Sequence, residues 1–299
     1  MISQFPARTQ TIISEHERVL PGTAGFLSAI DDARQFCSSL SSEFTFDFHL
    51  VPNPKSMGGN VSIVFPRLLA ETEGWLGCIT HSTAFRLEHY LDDIVTGLNE
   101  SRPYRVVNAA RSLLELAAFT AENANPVTSH AKELFSQSTT EFTHVLFAIL
   151  SILRAAARFA QVTRFNWDAL VRGDMEELFT NWQKVDEGVK APQILTLIDK
   201  LPSEQKRGMR FYYDMLCDFV HPNMGAHNLV IDKAKLISNN KMCWRLNLNP
   251  SSEEATSVLF HIIAIPVRQS VRLLINDLTR LQGVRTAFID WGRRIEKMA

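Results

Sequence analysis

Apolar positions recur at helical spacing along most of the chain. Over Thr23–Glu43, Phe26, Leu27, Ile30, Ala33 and Phe36 fall at i, i+3, i+4 intervals, which predicts an amphipathic helix. The period then changes: Phe44, Phe46, Phe48 and Leu50 alternate with polar residues. Pro52-Asn53-Pro54 and Gly58-Gly59-Asn60 punctuate, and Val61–Phe65 is apolar. This stretch reads as a β-hairpin or an irregular segment. Pro66 opens a long helical segment to about Leu98, interrupted by Gly74 and Gly77. Ser101-Arg102-Pro103 breaks it.

Tyr104–Asn123 is apolar nearly all round, as in a helix at the centre of a bundle, and Asn125-Pro126 is expected to end it. Glu141–Phe165 is a second strongly apolar helix, with Arg154 and Arg158 on one stripe. Polar loops and a short helix at Ile194–Lys200 lead to Ser203–His221, terminated by His221-Pro222-Asn223. His227–Ile237 and Lys241–Asn249 flank Ser238-Asn239-Asn240 as a hairpin. Ser251/Ser252 followed by Glu254 suits a capping box for a last helix, Glu253–Gln282, with a kink at Pro266. The fold class predicted is mainly α: an antiparallel helical bundle with one or two small β-hairpins. Its expected divisions are residues 1–65, a bundle over 66–282 with the hairpin near 227–249, and a C-terminal tail or helix over 283–299.

Composition narrows the classes. A 299-residue chain buries enough surface to need neither disulfides nor metal for a core. Its 31 Lys+Arg against 32 Asp+Glu exclude a strongly basic nucleic-acid glove, and 45% hydrophobic content excludes disorder. The seven Lys/Arg against three Asp/Glu over Arg268–Ala299 read as a solvated helix face. Cys37, Cys78, Cys217 and Cys243 form no C-x-x-C pair, which speaks for a reduced cytoplasmic setting. The N-terminal twenty residues lack a signal-peptide pattern, and the longest apolar runs, His144–Leu153 and Ser257–Val267, are too short to span a bilayer. No membrane association is expected.

Two places put charge where the pattern asks for apolar residues. Arg111 and Glu115, four apart in the most apolar helix, share a face with Asn108 and Glu122. Buried there, they must satisfy each other or a third group. The second place is Arg207–His221. Arg210, Asp214, Cys217, Asp218 and His221 fall within about 60° of one line, and Asp218 is spaced to accept a proton from the His221 ring.

Arg111-Ser112-Leu113-Leu114-Glu115, paired with Tyr213-Asp214-Met215-Leu216-Cys217-Asp218-Phe219-Val220-His221-Pro222, resembles a bacterial helical family of unknown function placed near the HEPN-like domains. Its members show an R-S-L-x-E helix and a Y-x-x-L-(S/C)-x-x-x-H-P helix, and Ile194–Leu201 is also similar to it. The resemblance covers roughly Leu68–Leu281 and implies a bundle in which the Arg111/Glu115 helix packs near Tyr213 and His221. HEPN ribonucleases carry R-x4–6-H, and no arginine here precedes a histidine at that spacing: Arg8 to His16 is one residue too long, Arg86 to His89 too short.

Other chemistries find less support. A Cys217-His221-Asp218 nucleophile set would draw all its members from one helix and leave no room for an oxyanion hole. Glu141-x-x-His144 and Asp218-x-x-His221, with Glu115 and Glu88, suggest a di-metal bundle, yet Glu141 and His221 sit near helix ends. His221 and His227 lack two further zinc ligands. No P-loop, Rossmann or nucleophile-elbow motif occurs.

The leading functional expectation is a non-catalytic or degenerate HEPN-like module. It would bind a protein partner, a nucleotide or RNA through a polar groove, without cofactor or metal, and with room for a homodimer. Glu115, Tyr213, Asp214, Arg154, Arg210 and Asn223 are the candidate ligand-binding residues. The alternatives are a metal-independent ribonuclease, with His221, Asp218 and Arg111 catalytic, and a structural polar cluster without a ligand.

Overall fold

A computed structural model describes residue 5, 7–19, 23–45, 61–136, 142–161, 173–174, 176, 193–204, 208–222, 224–229, 231–238, 241–246 and 253–298. Among these residues the elements are α1 (Ala7–Val19), α2 (Phe26–Ser39), α3 (Val61–Asn99), α4 (Pro103–Ser136), α5 (Phe142–Gln161), α6 (Ile194–Asp199), α7 (Gly208–Val220), α8 (Met224–Asn228), β1 (Ile231–Ser238), β2 (Lys241–Leu246) and α9 (Glu253–Met298). The protein is mainly α, a helical bundle, and among the described residues β1 and β2 form an antiparallel hairpin in which Ser238 pairs with Lys241 and Ile231 with Leu246.

The chain forms two compact units, each discontinuous in sequence. The first comprises Met1–Ser41, Thr83–Ala121 and Ile194–Asn276; the second comprises Ser42–Ser82, Glu122–Gln193 and Asp277–Ala299. The units therefore differ from the linear division at 65 and 282, because α3, α4 and α9 each supply one portion to each unit.

Helix ends follow local chemistry. Gly25 takes φ +83 ahead of α2, and the Glu17 carboxylate accepts the Phe26 N–H at 2.9 Å, so an acidic side chain from α1 caps α2. The predicted Thr23–Glu43 helix therefore starts at Phe26, and it ends at Ser39, where Leu40 turns extended with its N–H on Cys37 O. The break at Ser101-Arg102-Pro103 is a Schellman turn: Ser101 stands at φ 53, the Arg102 N–H reaches Gly97 O at 2.7 Å, and Pro103 starts α4.

Several predicted stops are read through. α3 begins at Val61, so the apolar stretch 61–65 is helix rather than strand, Pro66 lies inside the helix, and neither Gly74 nor Gly77 interrupts it. The rest of the first predicted hairpin, residues 46–60, lies outside the described residues. α4 continues through Pro126 to Ser136. Beyond the proline, Val127, Ala131 and Leu134 are buried, and that burial outweighs one lost ladder bond. Arg280 also donates to Asn125 Oδ1 at 3.1 Å and Thr128 Oγ1 at 2.6 Å, on either side of Pro126. α9 contains Pro266 and runs past Gln282 to Met298. His227 belongs to α8 rather than to a strand.

In the first unit the core gathers Ile13, Phe26 and Ile30 with Leu87, Leu91, Leu113, Leu114, Leu216 and Phe260, and Phe26 meets Phe260 edge-on at 5.0 Å. In the second unit Trp75, Leu76, Ile79, Val127, Leu134, Ile149, Ile152 and Phe288 form one cluster. Buried threonines return their hydroxyls to the carbonyl one turn earlier, as Thr120 does to Leu116 O at 2.8 Å and Thr72 to Leu68 O at 2.7 Å. Ser257–Arg293 is long and apolar enough to cross a membrane by length and composition alone, but 67% of its most apolar window is buried inside the protein. The core helix of a bundle meets the same test.

Candidate functional site

The site belongs to the first unit and is built on α4 and α7. On α4, Ala110, Leu113, Leu114 and Ala117 are buried, which leaves Arg111 and Glu115 on the flank of the apolar face. On α7, Met209, Tyr212, Tyr213 and Leu216 are buried. The two helices meet through polar atoms as well as apolar ones. Arg111 Nε donates to Glu115 Oε1 at 3.1 Å, Arg111 Nη2 to the Tyr213 hydroxyl at 3.3 Å, and that hydroxyl donates to Glu115 Oε1 at 2.9 Å. The guanidinium carbon also lies 5.5 Å from the Tyr213 ring centre.

Each group tunes the others. Burial, followed by the bond to the Glu115 carboxylate, pushes the Tyr213 phenol up to about 12, while Arg111 pulls the other way. For Arg111, partial burial works against the charge. The bond to Tyr213 and the electrostatic pull of Cys217, Glu115 and Tyr213 outweigh it, so its pKa stands above the ordinary arginine value. Tyr213 is thus a neutral donor throughout the physiological range, and Arg111 a fixed cation. Of five guanidinium N–H donors, two are used within the cluster, and 27% of the Arg111 side chain is exposed.

Below the cluster, α7 ends against α8. The His221 N–H bonds Cys217 O at 3.0 Å at the bend. Gly225 packs so closely on Asp218 that a Cβ there would run into the Asp218 carboxylate and its backbone carbonyl. Tyr104, two turns before Arg111 on the same face of α4, donates its hydroxyl to Ala226 O at 3.0 Å. The α4 stripe Tyr104–Arg111–Glu115 therefore touches both the body of α7 and the turn beyond it.

The sequence-predicted site residues separate into groups. Arg111, Glu115 and Tyr213 come together. Asp218 is exposed beside Gly225, and His221 is exposed at the bend, outside the Arg–Glu–Tyr group. Asp214 and Arg210 form an exposed pair at 2.9 Å, and Arg210 also reaches Asp199 of α6 at 3.2 Å. The hydrogen bond to Asp214 leads the causes that raise the Arg210 pKa. Arg154 is exposed on α5 in the second unit. Asn223 and Glu141 lie outside the described residues. Tyr104 and Gly225 join the site through packing, and of the two only Tyr104 carries a sequence signal, its seven-residue spacing from Arg111. Among the described residues no three His, Cys, Asp or Glu side chains gather as metal ligands would. No family model matches the chain, and comparison with the curated proteins and with the solved structures returned no match.

Proposed function

We propose that the first unit is a non-catalytic HEPN-like module that binds the phosphate of RNA or of a nucleotide at Arg111. The observation that carries this reading is the geometry of that guanidinium. Two hydrogen bonds and the Tyr213 ring fix its plane, while spare N–H donors and 27% of its side chain remain open. A pre-oriented guanidinium is suited to the bidentate recognition of an oxyanion, and holding it still beforehand lowers the entropic cost of binding. Its neighbour Glu115 cancels its charge, which favours modest affinity over catalytic stabilisation of a developing anion. An exposed His221 outside the cluster supports binding without cleavage.

Anisotropy of a fluorescein-labelled single-stranded RNA, competed by ATP, tests this. Binding is expected for the native protein, with at least a tenfold loss in Arg111→Lys, which keeps the charge but not the fork, roughly 1.4 kcal/mol or more. The RNA should be recovered intact. Failure of both probes to bind, or unchanged binding by Arg111→Lys, overturns the proposal. Cleavage of the RNA that disappears in His221→Ala favours the ribonuclease instead. An architectural role is favoured by one specific feature, the mutual satisfaction of Arg111, Glu115 and Tyr213. It predicts that Arg111→Ala lowers the melting temperature of a protein that neither probe stabilises.

A further inference from the structure

A different cluster lies in the second unit, where chain leaving α2 lays one aromatic ring against α3 and α9. Glu73, Gly77 and His81 follow one another at four-residue intervals on α3 and so share a face. The Phe44 ring enters end-on above Gly77, whose missing side chain makes the space: a Cβ there would collide with the ring tip. His81 stacks on Phe44 with ring centres 4.5 Å apart and planes 19° from parallel. The Arg285 guanidinium of α9 lies 5.1 Å from the same ring centre and is anchored by Glu73 at 3.0 Å.

One polar feature of this slot is not answered by a hydrocarbon ring. Arg285 Nε is buried and has no hydrogen-bond partner among the described residues, although its neighbouring nitrogen is paired. A buried N–H donor left open is uncommon and calls for a reason. His81 Nδ1 lies 2.8 Å from Gly77 O, and a carbonyl only accepts, so Nδ1 is assigned a proton and this bond fixes the ring against the slot. The Phe44 ring carries no oxygen or nitrogen to accept from Arg285 Nε. Its flanking residues Glu43 and Thr45 are exposed, whereas the Phe44 ring is turned inward onto α3 and α9.

We propose that Glu73, Gly77, His81 and Arg285 form a slot for the base of a nucleotide, and that Phe44 fills it in cis. Stacking on histidine and on a guanidinium plane is how unpaired bases are held, and a base with its sugar and phosphate carries acceptors for Arg285 Nε that phenylalanine lacks. Phe44 then competes with the ligand for the slot. The inference concerns residues of the second unit and does not rest on the role given to Arg111.

The test uses the full chain in the Arg111→Lys background, which weakens binding at the first unit, and compares variants that differ only in the second. AMP, GMP, CMP and UMP are titrated calorimetrically, beside ribose 5-phosphate, which lacks the base, and a short adenine-rich RNA. Phe44→Ala is expected to bind at least one nucleotide tenfold or more tightly than the Phe44 protein, to ignore ribose 5-phosphate, and to lose binding when Gly77→Ala fills the slot. Tighter binding of AMP than of the RNA, per site, identifies a free nucleotide; the reverse identifies a strand. If Phe44→Ala does not fold, Phe44→Leu, which keeps an apolar fill without the stack, takes its place with the same expected outcomes. A folded variant that binds no base, equal binding of ribose 5-phosphate, or unfolding of both variants overturns the proposal and leaves Phe44 as ordinary core.

Discussion

Replacing Tyr213 by phenylalanine removes one oxygen from the centre of the Arg111–Glu115–Tyr213 cluster and leaves its packing intact. The hydroxyl makes two bonds to charged groups, at 2.9 Å and 3.3 Å, and such bonds are worth about 1.5–3 kcal/mol each when nothing replaces them. Here much is replaced. Arg111 and Glu115 keep their own contact at 3.1 Å and are 27% and 32% exposed, so water reaches both. The expected cost at neutral pH is about 1–2 kcal/mol, or about 2–8 °C in melting temperature. The difference between the two proteins also depends on pH. The Tyr213 phenol stands at about 12 in the folded protein against about 10 in an unfolded chain. A folded pKa above the unfolded one gives stability that is complete below about pH 10 and lost as pH rises towards 12. Two units at about 1.4 kcal/mol each put that loss at no more than ~3 kcal/mol, with hydration of the neighbouring charges reducing it. Urea denaturation of native and Tyr213→Phe proteins at about pH 7, 9 and 11 should therefore show a gap that is constant at first and then closes. Lysine deprotonation affects both proteins equally and cancels in the difference. A gap that stays constant up to the most alkaline point, or is absent at neutral pH, refutes the coupling of the phenol to Glu115.

Gly225→Ala places a Cβ against the Asp218 backbone as well as its carboxylate, which a rotamer change cannot relieve, so a loss of about 1–3 kcal/mol in urea denaturation is expected. Asp277 is buried, and burial raises its pKa despite the Arg280 contact at 2.9 Å. Its stabilising contribution thus belongs to the protonated form and fades as pH rises through the folded pKa. Asp277→Asn should raise the melting temperature at neutral pH and have little effect in acid, as read by scanning calorimetry. Cys37, pushed up to about 11 by burial and then by Glu88, should resist a thiol reagent at about pH 8 until the protein unfolds, while exposed Cys243 reacts at once.

The helical character of the chain was open to a reading of periodicity, as was the turn at Ser101-Arg102-Pro103, where local hydrogen bonding decides the outcome. The end of a helix at a proline was not. Pro126 costs α4 one ladder bond, and the sequence shows that cost plainly, whereas the compensation comes from Arg280, 154 positions further on, and from the burial of Val127, Ala131 and Leu134. Helix α1 escaped for a similar reason: His16 bonds Ser257 at 2.6 Å and Glu17 caps α2, so its support is tertiary. The division into two units is likewise invisible to a linear scan, because each of the three longest helices divides between them.

At the candidate site, the Arg111–Glu115 pair follows from spacing alone, since side chains four apart on a helix meet whatever surrounds them. The third member does not. Tyr213 and Asp214 are neighbours in sequence, and a helical stripe drawn through the charged residues of α7 favours Asp214. The stripe marks the face turned to water: Asp214 and Arg210 pair with each other and with Asp199, and Asp218 and His221 are exposed. Tyr213 lies about 100° round the helix and faces α4, where an amphipathic side chain supplies what a charge would supply only at a high desolvation cost. A buried phenol that gives one bond to a carboxylate and takes one from a guanidinium keeps both ions half in water. On that reasoning, exchanging the roles by Tyr213→Asp should cost far more than Tyr213→Phe, because it sets a second carboxylate beside Glu115 with a single arginine to serve both. Equal losses from the two substitutions in urea denaturation would show that the hydroxyl, and not the choice of a neutral group, is what α4 requires at this position.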